Sequence, residues 1–171
     1  MFHGGFGMLT LQGVPKPTFH AYRMLNALGR TLLAAGDDGV VTRDEATGRV
    51  VALVHHYPRE VTRSVPASFD DRSVADATEA VGSVRDTEIT VDGLTPGAVV
   101  ELETLDPSNA NPVAAWRAMG APSSPTREQT AALHAAARAT RRESLVVPAD
   151  GVLRVERSLA PWSLLLVRQV A

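Results

Sequence analysis

A chain of 171 residues, 44% hydrophobic and 21% charged, is long enough for one globular domain, or for one domain with a short appendage. A net charge of -2, with the 17 Lys and Arg scattered along the sequence, gives no basic field for phosphates or anionic lipids, so neither nucleic acid nor a membrane is an expected partner. The absence of cysteine excludes disulfides, thiolate catalysis and Cys-based metal sites, and leaves the fold to rest on packing.

No run approaches the ~20 apolar residues of a membrane span, and no basic region followed by an apolar run marks a leader. Lack of cysteine leans towards a reducing compartment such as the cytoplasm, although secreted bacterial enzymes without cysteine leave the localisation open.

In chain order, residues 1–14 are glycine-rich and apolar: Gly4, Gly5, Gly7 and Gly13 interrupt Phe2, Phe6, Met8, Leu9 and Leu11, which reads as irregular chain or a short strand. Pro15 and Pro17 stop any preceding element, and Pro17 suits the first turn of a helix, where its missing N–H costs nothing. Phe19, Tyr22, Leu25, Leu28 and Leu32 then recur along one face, so an amphipathic helix is expected from Pro17 to Ala35, closed by Gly36. Val40–Arg43 and Val50–Tyr57, separated by Glu45-Ala46-Thr47-Gly48, predict a hairpin. Pro58 to Asp86 lacks sustained periodicity and reads as an insertion with one strand around Val61–Val65. Glu88–Val91 and Ala98–Leu105 flank a turn at Asp92-Gly93-Leu94-Thr95-Pro96-Gly97. A short helical piece from Val113 to Met119 follows a loop. Thr126 with Gln129 then forms a capping-box pattern that opens a helix to about Arg142. Ser144–Val147, Val152–Glu156 and Ser163–Val167 complete about seven strands. Connections of hairpin length predict an antiparallel sandwich with helices as outliers rather than crossovers.

Reactive groups do not converge. His55 and His56 are adjacent on a predicted strand and point to opposite faces, so they cannot chelate together, and no metal site or cofactor is expected. His3-Gly4-Gly5-Phe6 resembles the oxyanion loop of some esterases, but no serine is flanked by glycines in a Gly-x-Ser-x-Gly elbow. Phosphate-cradling glycine patterns are missing as well. Glycoside cleavage needs two carboxyl groups held about 5–10 Å apart on rigid elements. Asp44, Glu45, Asp70, Asp71, Asp106 and Asp150 all fall in predicted turns or loops, where aspartate serves local hydrogen bonding. The few aromatic residues sit among apolar neighbours, which makes core packing the better reading of Trp116 and Trp162.

The uninterrupted segment from Phe2 to Gly29, with Phe2-His3-Gly4-Gly5-Phe6-Gly7 and Pro15-Lys16-Pro17 as its most specific parts, resembles the end of the catalytic barrel in glycoside hydrolase family 39. Further pieces agree in the same order: Val41-Thr42-Arg43, Glu103-Thr104-Leu105-Asp106, Ala114-Ala115-Trp116-Arg117-Ala118-Met119-Gly120 and Pro125-Thr126-Arg127-Glu128-Gln129. The resemblance implies a mainly β fold, in which residues 1–36 are the last loop and helix of a (β/α)8 barrel and residues 37–171 a β-sandwich accessory domain with two flanking helices. It further implies that Phe2, His3, Gly4 and Gly5 lie near substrate only in an intact barrel. The family cleaves xylosides with retention, using a glutamate after asparagine in an Asn-Glu-Pro motif and a second glutamate as nucleophile. Asn26, Asn109 and Asn111 are the only asparagines and none precedes glutamate, so no catalytic residue carries over. A full barrel takes about 250 residues, which leaves the missing barrel as the expected partner, with xyloside or xylo-oligosaccharide bound only through it.

Three functional readings follow. In the first, the sandwich braces a barrel, burying Phe19, Tyr22 and Leu25 on one side of the Pro17–Ala35 helix; alone, the chain would expose an apolar stripe and either self-associate as a homo-oligomer or refold its N-terminal ~35 residues. In the second, the chain is an independent carbohydrate-binding β-sandwich module, a reading that full burial of Trp116 and Trp162 would remove. The third, an esterase-like hydrolase on His3-Gly4-Gly5, lacks an activated serine.

Overall fold

A computed structural model of the chain describes residue 2, residues 7–60 and residues 81–170. These residues form helix α1 (Pro17–Leu25), strands β1 (Thr31–Gly36), β2 (Gly39–Arg43), β3 (Val50–His56), β4 (Arg85–Val91) and β5 (Val99–Leu105), helices α2 (Pro112–Ala118) and α3 (Arg127–Arg138), and strands β6 (Arg141–Val146), β7 (Leu153–Leu159) and β8 (Ser163–Gln169). The fold is mainly β, with three helices, and every strand pair is antiparallel. One sheet runs β1-β2-β3-β8-β5-β6 and a second is the pair β4-β7.

Both faces of the large sheet are covered, and the composition of its central strands explains why. On β3, Val50 and Ala52 enter a core shared with Ile89 and Val91 of β4 and with Leu153 and Val155 of β7. Val51 and Leu53 point the other way, into a cluster with Met24 of α1. On β8, Leu165 and Val167 likewise face the small sheet, whereas Leu164 and Leu166 face α1. Successive side chains of a strand alternate between faces, so a strand buried twice reads as a continuous apolar run. Leu165 and Leu166 are 0% and 1% exposed; burying each contributes about 1.5–3 kcal/mol. A third cluster joins Val14, Leu133 and Ala137 to Phe2, Ala115, Trp116 and Met119, so α2 and α3 hold the N-terminal segment.

The predicted helix from Pro17 to Ala35 is corrected here. It begins at Pro17 but stops at Leu25, with Asn26 at its C-cap, and Thr31–Gly36 is strand β1, paired antiparallel with β2. Gly36 does not cap a helix. It pairs with Gly39 across Asp37 and Asp38, so the Gly-Asp-Asp-Gly run is a hairpin turn. Cross-strand pairing with Val40–Arg43 competes successfully with a helical period that depended on Leu28 and Leu32. β2 through β8 and the two later helices fall close to the predicted positions, except that α3 stops at Arg138, and Arg141 and Arg142, expected at its end, open β6. The strand expected around Val61–Val65 lies outside the described residues.

Helix α3 carries the capping box in full: the Thr126 hydroxyl accepts from the Gln129 N–H at 3.2 Å, and the Gln129 side chain accepts from the Thr126 N–H at 2.9 Å. Thr126→Ala is expected to lower stability by about 1 kcal/mol, read from the urea midpoint, because one orphan N–H of the first turn loses its acceptor.

Candidate functional site

The helix α1 lies on the large sheet through one face. His20 and Met24 are buried, Ala21 is half-buried, and beneath them β5 presents Glu103, which is 0% exposed. Arg23 grips that carboxylate with two bonds, Nη1 to Oε2 at 2.9 Å and Nη2 to Oε1 at 2.6 Å. The Thr140 hydroxyl donates to Oε1 at 2.7 Å, and Arg142 adds Nε at 3.2 Å and Nη2 at 3.0 Å. Burial pushes the Glu103 pKa up. The hydrogen bonds from Arg23 and Thr140 and the charges of Arg23 and Arg142 overcome it and hold the group down at about 2. A carboxyl so acidic cannot deliver a proton near neutral pH, so Glu103 ties α1 to β5 and β6 and is unsuited to general acid chemistry. Sequence reasoning missed it. The available signal was Glu101 and Glu103 on one face of a strand whose partner strand carries Arg141 and Arg142.

The remaining predicted carboxylates serve turns. Asp44 accepts from the Thr47 N–H and hydroxyl, both at 2.8 Å, and these bonds lower its pKa. Asp106 accepts from the Ser108 and Asn109 N–H groups at 2.7 and 2.8 Å. Asp150 accepts from the Val152 N–H at 3.0 Å, which together with Arg154 holds its pKa down. Glu45 accepts from the Thr31 hydroxyl at 2.6 Å, and Asp70 and Asp71 lie outside the described residues. Glu88 and Glu156 stand opposite each other on β4 and β7. Both project from the same exposed face of the small sheet, so they lie side by side rather than flanking a space for a glycosidic bond.

Among the described residues, no three His, Cys, Asp or Glu side chains gather as a metal site, and no helix is long and apolar enough to cross a membrane. His56 Nε2 meets the Ser83 carbonyl at 2.8 Å and His134 Nε2 the Gln12 carbonyl at 3.2 Å. His20 Nε2 lies 2.6 Å from the carbonyl of Ala137, in the last turn of α3, and therefore donates to it. Burial lowers the His20 pKa, against the pull of that carbonyl, so the ring is neutral at pH 7.

Two surface features remain. The outer face of α1 carries Phe19, Tyr22 and Leu25, exposed by 36%, 60% and 48%, which corrects the expectation that the sandwich buries these three. The sheet takes Ala21 and Met24 instead, and His20 turns to α3. On the edge strand β1, Leu32 and Leu33 are also exposed. The second feature is an open groove of about 890 Å³ between the N-terminal end of α1, the β5–α2 connection, α2 and the β7–β8 turn. Neither tryptophan is fully buried: Trp116 donates to the Pro122 carbonyl at 2.9 Å and packs edge-on against Phe2 at 5.5 Å, while Trp162 lines the groove. Phe2 is thus half-buried against α2, and His3, Gly4 and Gly5 lie outside the described residues.

The family model of glycosyl hydrolases family 39 matches residues 1–154. The chain belongs to glycosyl hydrolase family 39. It is 26% identical over 136 residues to a β-xylosidase of Geobacillus stearothermophilus, covering 80% of this chain and 23% of that protein. A β-xylosidase of Caldicellulosiruptor saccharolyticus is 29% identical over 133 residues, covering 75% of this chain and 24% of that enzyme. The fold matches that of the family 39 enzyme from Xanthomonas axonopodis pv. citri with a TM-score of 0.74 at 21% identity, over 98% of this chain and 33% of the other. This family 39 chain therefore spans about a quarter of the length of the curated relatives it matches.

Proposed function

We propose that this chain is the C-terminal accessory region of a retaining glycoside hydrolase of the β-xylosidase type, and that it braces a catalytic (β/α)8 barrel rather than cleaving sugar bonds itself. In this reading residues 1–36 supply the barrel's last loop and helix and residues 37–171 the sandwich, although β1 also joins the large sheet. Phe2, His3, Gly4 and Gly5 approach substrate only in the assembled barrel. The observation that carries the reading is the two-sided helix α1: one face is locked to the sheet by Met24 and the Arg23–Glu103 pair, and the other presents Phe19, Tyr22 and Leu25 outward. An apolar stripe of that kind on an otherwise well-packed fold fits an element that serves two neighbours. The carboxylates support the second half of the proposal, because Glu103 is consumed by its cations and Asp44, Asp106 and Asp150 by their turns.

The test uses the chain as it stands. Turnover of an aryl xyloside should equal that of buffer, and sedimentation should show self-association that rises with concentration. The double variant Tyr22→Asp, Leu25→Asp should suppress association without shifting the unfolding midpoint by more than about 0.5 kcal/mol, since both positions are exposed. Capture of the parent chain, but not the double variant, by a separately produced family 39 barrel would support bracing. A chain that stays monomeric and ignores the barrel, or one that hydrolyses the xyloside, would overturn it.

A further inference from the structure

We infer that the groove beside the N-terminal end of α1 is a subsite for a neutral oligosaccharide, with Trp162 as its stacking platform. The inference deepens the reading above and takes from it only the orientation of the groove. Where α1 follows a barrel strand, its Pro17 end marks the face on which barrel enzymes place their chemistry, so the groove opens on the substrate side.

The groove itself is argued from its lining. Trp162 has φ +67, in the left-handed region that bulky side chains rarely enter. Among the described residues, the other two non-glycine positions there are alanines, Ala110 and Ala121. The conformation is held from several directions: the Trp162 N–H donates to the His56 carbonyl at 2.8 Å, the Ser163 hydroxyl donates to the Ala160 carbonyl at 2.7 Å, and the Tyr57 ring stands edge-on at 4.9 Å. A backbone outlier at a large aromatic residue, fixed in place at the rim of a groove, points to a role for the ring beyond filling the core. Proline and aliphatic side chains form much of the wall, and Thr18, Asp106, Asn111 and Arg117 supply polar groups. Asp106 Oδ2 accepts from the Asn109 amide at 2.9 Å and keeps a further lone pair. Asn111 donates once to the Pro107 carbonyl and accepts once from the Val113 N–H, which leaves one donor and one acceptor position.

This set selects the ligand class. One carboxylate and one guanidinium give the groove no net charge, which disfavours phosphates and polyanions. An aromatic face beside planar amide, carboxylate and guanidinium groups suits pyranose rings, which offer C–H faces and paired hydroxyls. The volume of about 890 Å³ lies within the roughly 300–1,000 Å³ usual for ligand pockets, and the open side admits an extended chain of sugars. Xylotetraose is the probe of choice, since the curated relatives are β-xylosidases.

Calorimetric titration of the 171-residue chain should give saturable xylotetraose binding, weaker binding of xylose and none of inorganic phosphate. A dissociation constant of ~1 mM or tighter is expected. Trp162→Gly removes the ring while suiting the positive φ, so the variant should keep a cooperative unfolding transition and bind at least ~10-fold more weakly. Arg117→Ala on the exposed side of α2 should weaken binding in the same direction. No saturable sugar binding, phosphate binding tighter than sugar, or sugar binding indifferent to Trp162→Gly would overturn the inference. Those failures leave bracing untouched, because it rests on Phe19, Tyr22 and Leu25. Sugar binding by a chain that ignores the barrel would keep the groove and discard the brace.

Discussion

Replacing Glu103 with alanine is expected to cost the fold about 3 kcal/mol at neutral pH and to reduce its acid sensitivity below pH 4.5. Folding depresses this carboxyl from 4.5 to about 2, so the folded state binds the proton less readily than the unfolded chain. The contribution is therefore fully present above pH 4.5 and is lost progressively as the pH falls towards 2, where the folded carboxyl also protonates. A depression of roughly 2.5 units at 1.36 kcal/mol each sets the scale. Breaking a buried ion pair costs about 3–5 kcal/mol in general. The low end applies here, because the Arg23 and Arg142 side chains, 35% and 52% exposed, can regain water once the carboxylate is gone. Arg23→Ala should cost a similar amount for the opposite reason, leaving a buried anion with Thr140 and Arg142 alone. Urea midpoints for parent and Glu103→Ala along the acid limb decide the matter: two curves that stay parallel between pH 4.5 and 2 would show that the carboxylate carries none of the acid sensitivity.

What the sequence disclosed and what it hid divide along a physical line. Local signals were legible: Thr126 with Gln129 announced α3, Pro17 announced the start of α1, and the β-branched runs announced β2 and β3. Leu28 and Leu32 misled because their spacing continues the helical period of Phe19, Tyr22 and Leu25. Whether they extend a helix or enter a hairpin depends on Val40–Arg43 as a pairing partner, which is a tertiary fact. The orientation of α1 was hidden for a related reason. Phe19, Tyr22 and Leu25 look like the buried stripe of an amphipathic helix, yet the sheet takes Ala21 and Met24 and α3 takes His20, because the apolar face and the inward one are different faces of the same turn. The candidate sites were legible only in part. The turn roles of Asp44, Asp106 and Asp150 could be read from their neighbours, whereas Glu103 meets Arg23 from 80 positions away and the groove at Trp162 is formed by four separate elements.

Gly29→Ala should be the most disruptive conservative change in the α1–β1 connection, lowering stability by about 3 kcal/mol or more. A Cβ on Gly29 would overlap the carbonyl carbon and oxygen of Arg43 and the nitrogen of Asp44. All three are backbone atoms, so no side-chain rotation can relieve the overlap. The Gly29 N–H donates to the Thr42 hydroxyl at 2.9 Å, and Thr42 is buried with its own hydroxyl turned to the Val51 carbonyl at 3.3 Å. Moving the connection outward breaks that chain of bonds, while moving the end of β2 strains the pairing of Arg43 with both Thr31 and Val50. Gly48→Ala is the control. Its φ of +71 strains alanine, but nothing lies within 4 Å, so the expected cost is only about 1 kcal/mol from the left-handed backbone. Denaturant unfolding of the two variants separates the causes, and a Gly29→Ala chain no less stable than Gly48→Ala would refute the close approach. The same contact bears on function. Gly29 fixes how closely α1 is drawn onto the sheet, and with it the setting of the helix that turns Phe19, Tyr22 and Leu25 outward. On the bracing proposal, Gly29→Ala should therefore weaken capture by a barrel under conditions where the chain remains folded.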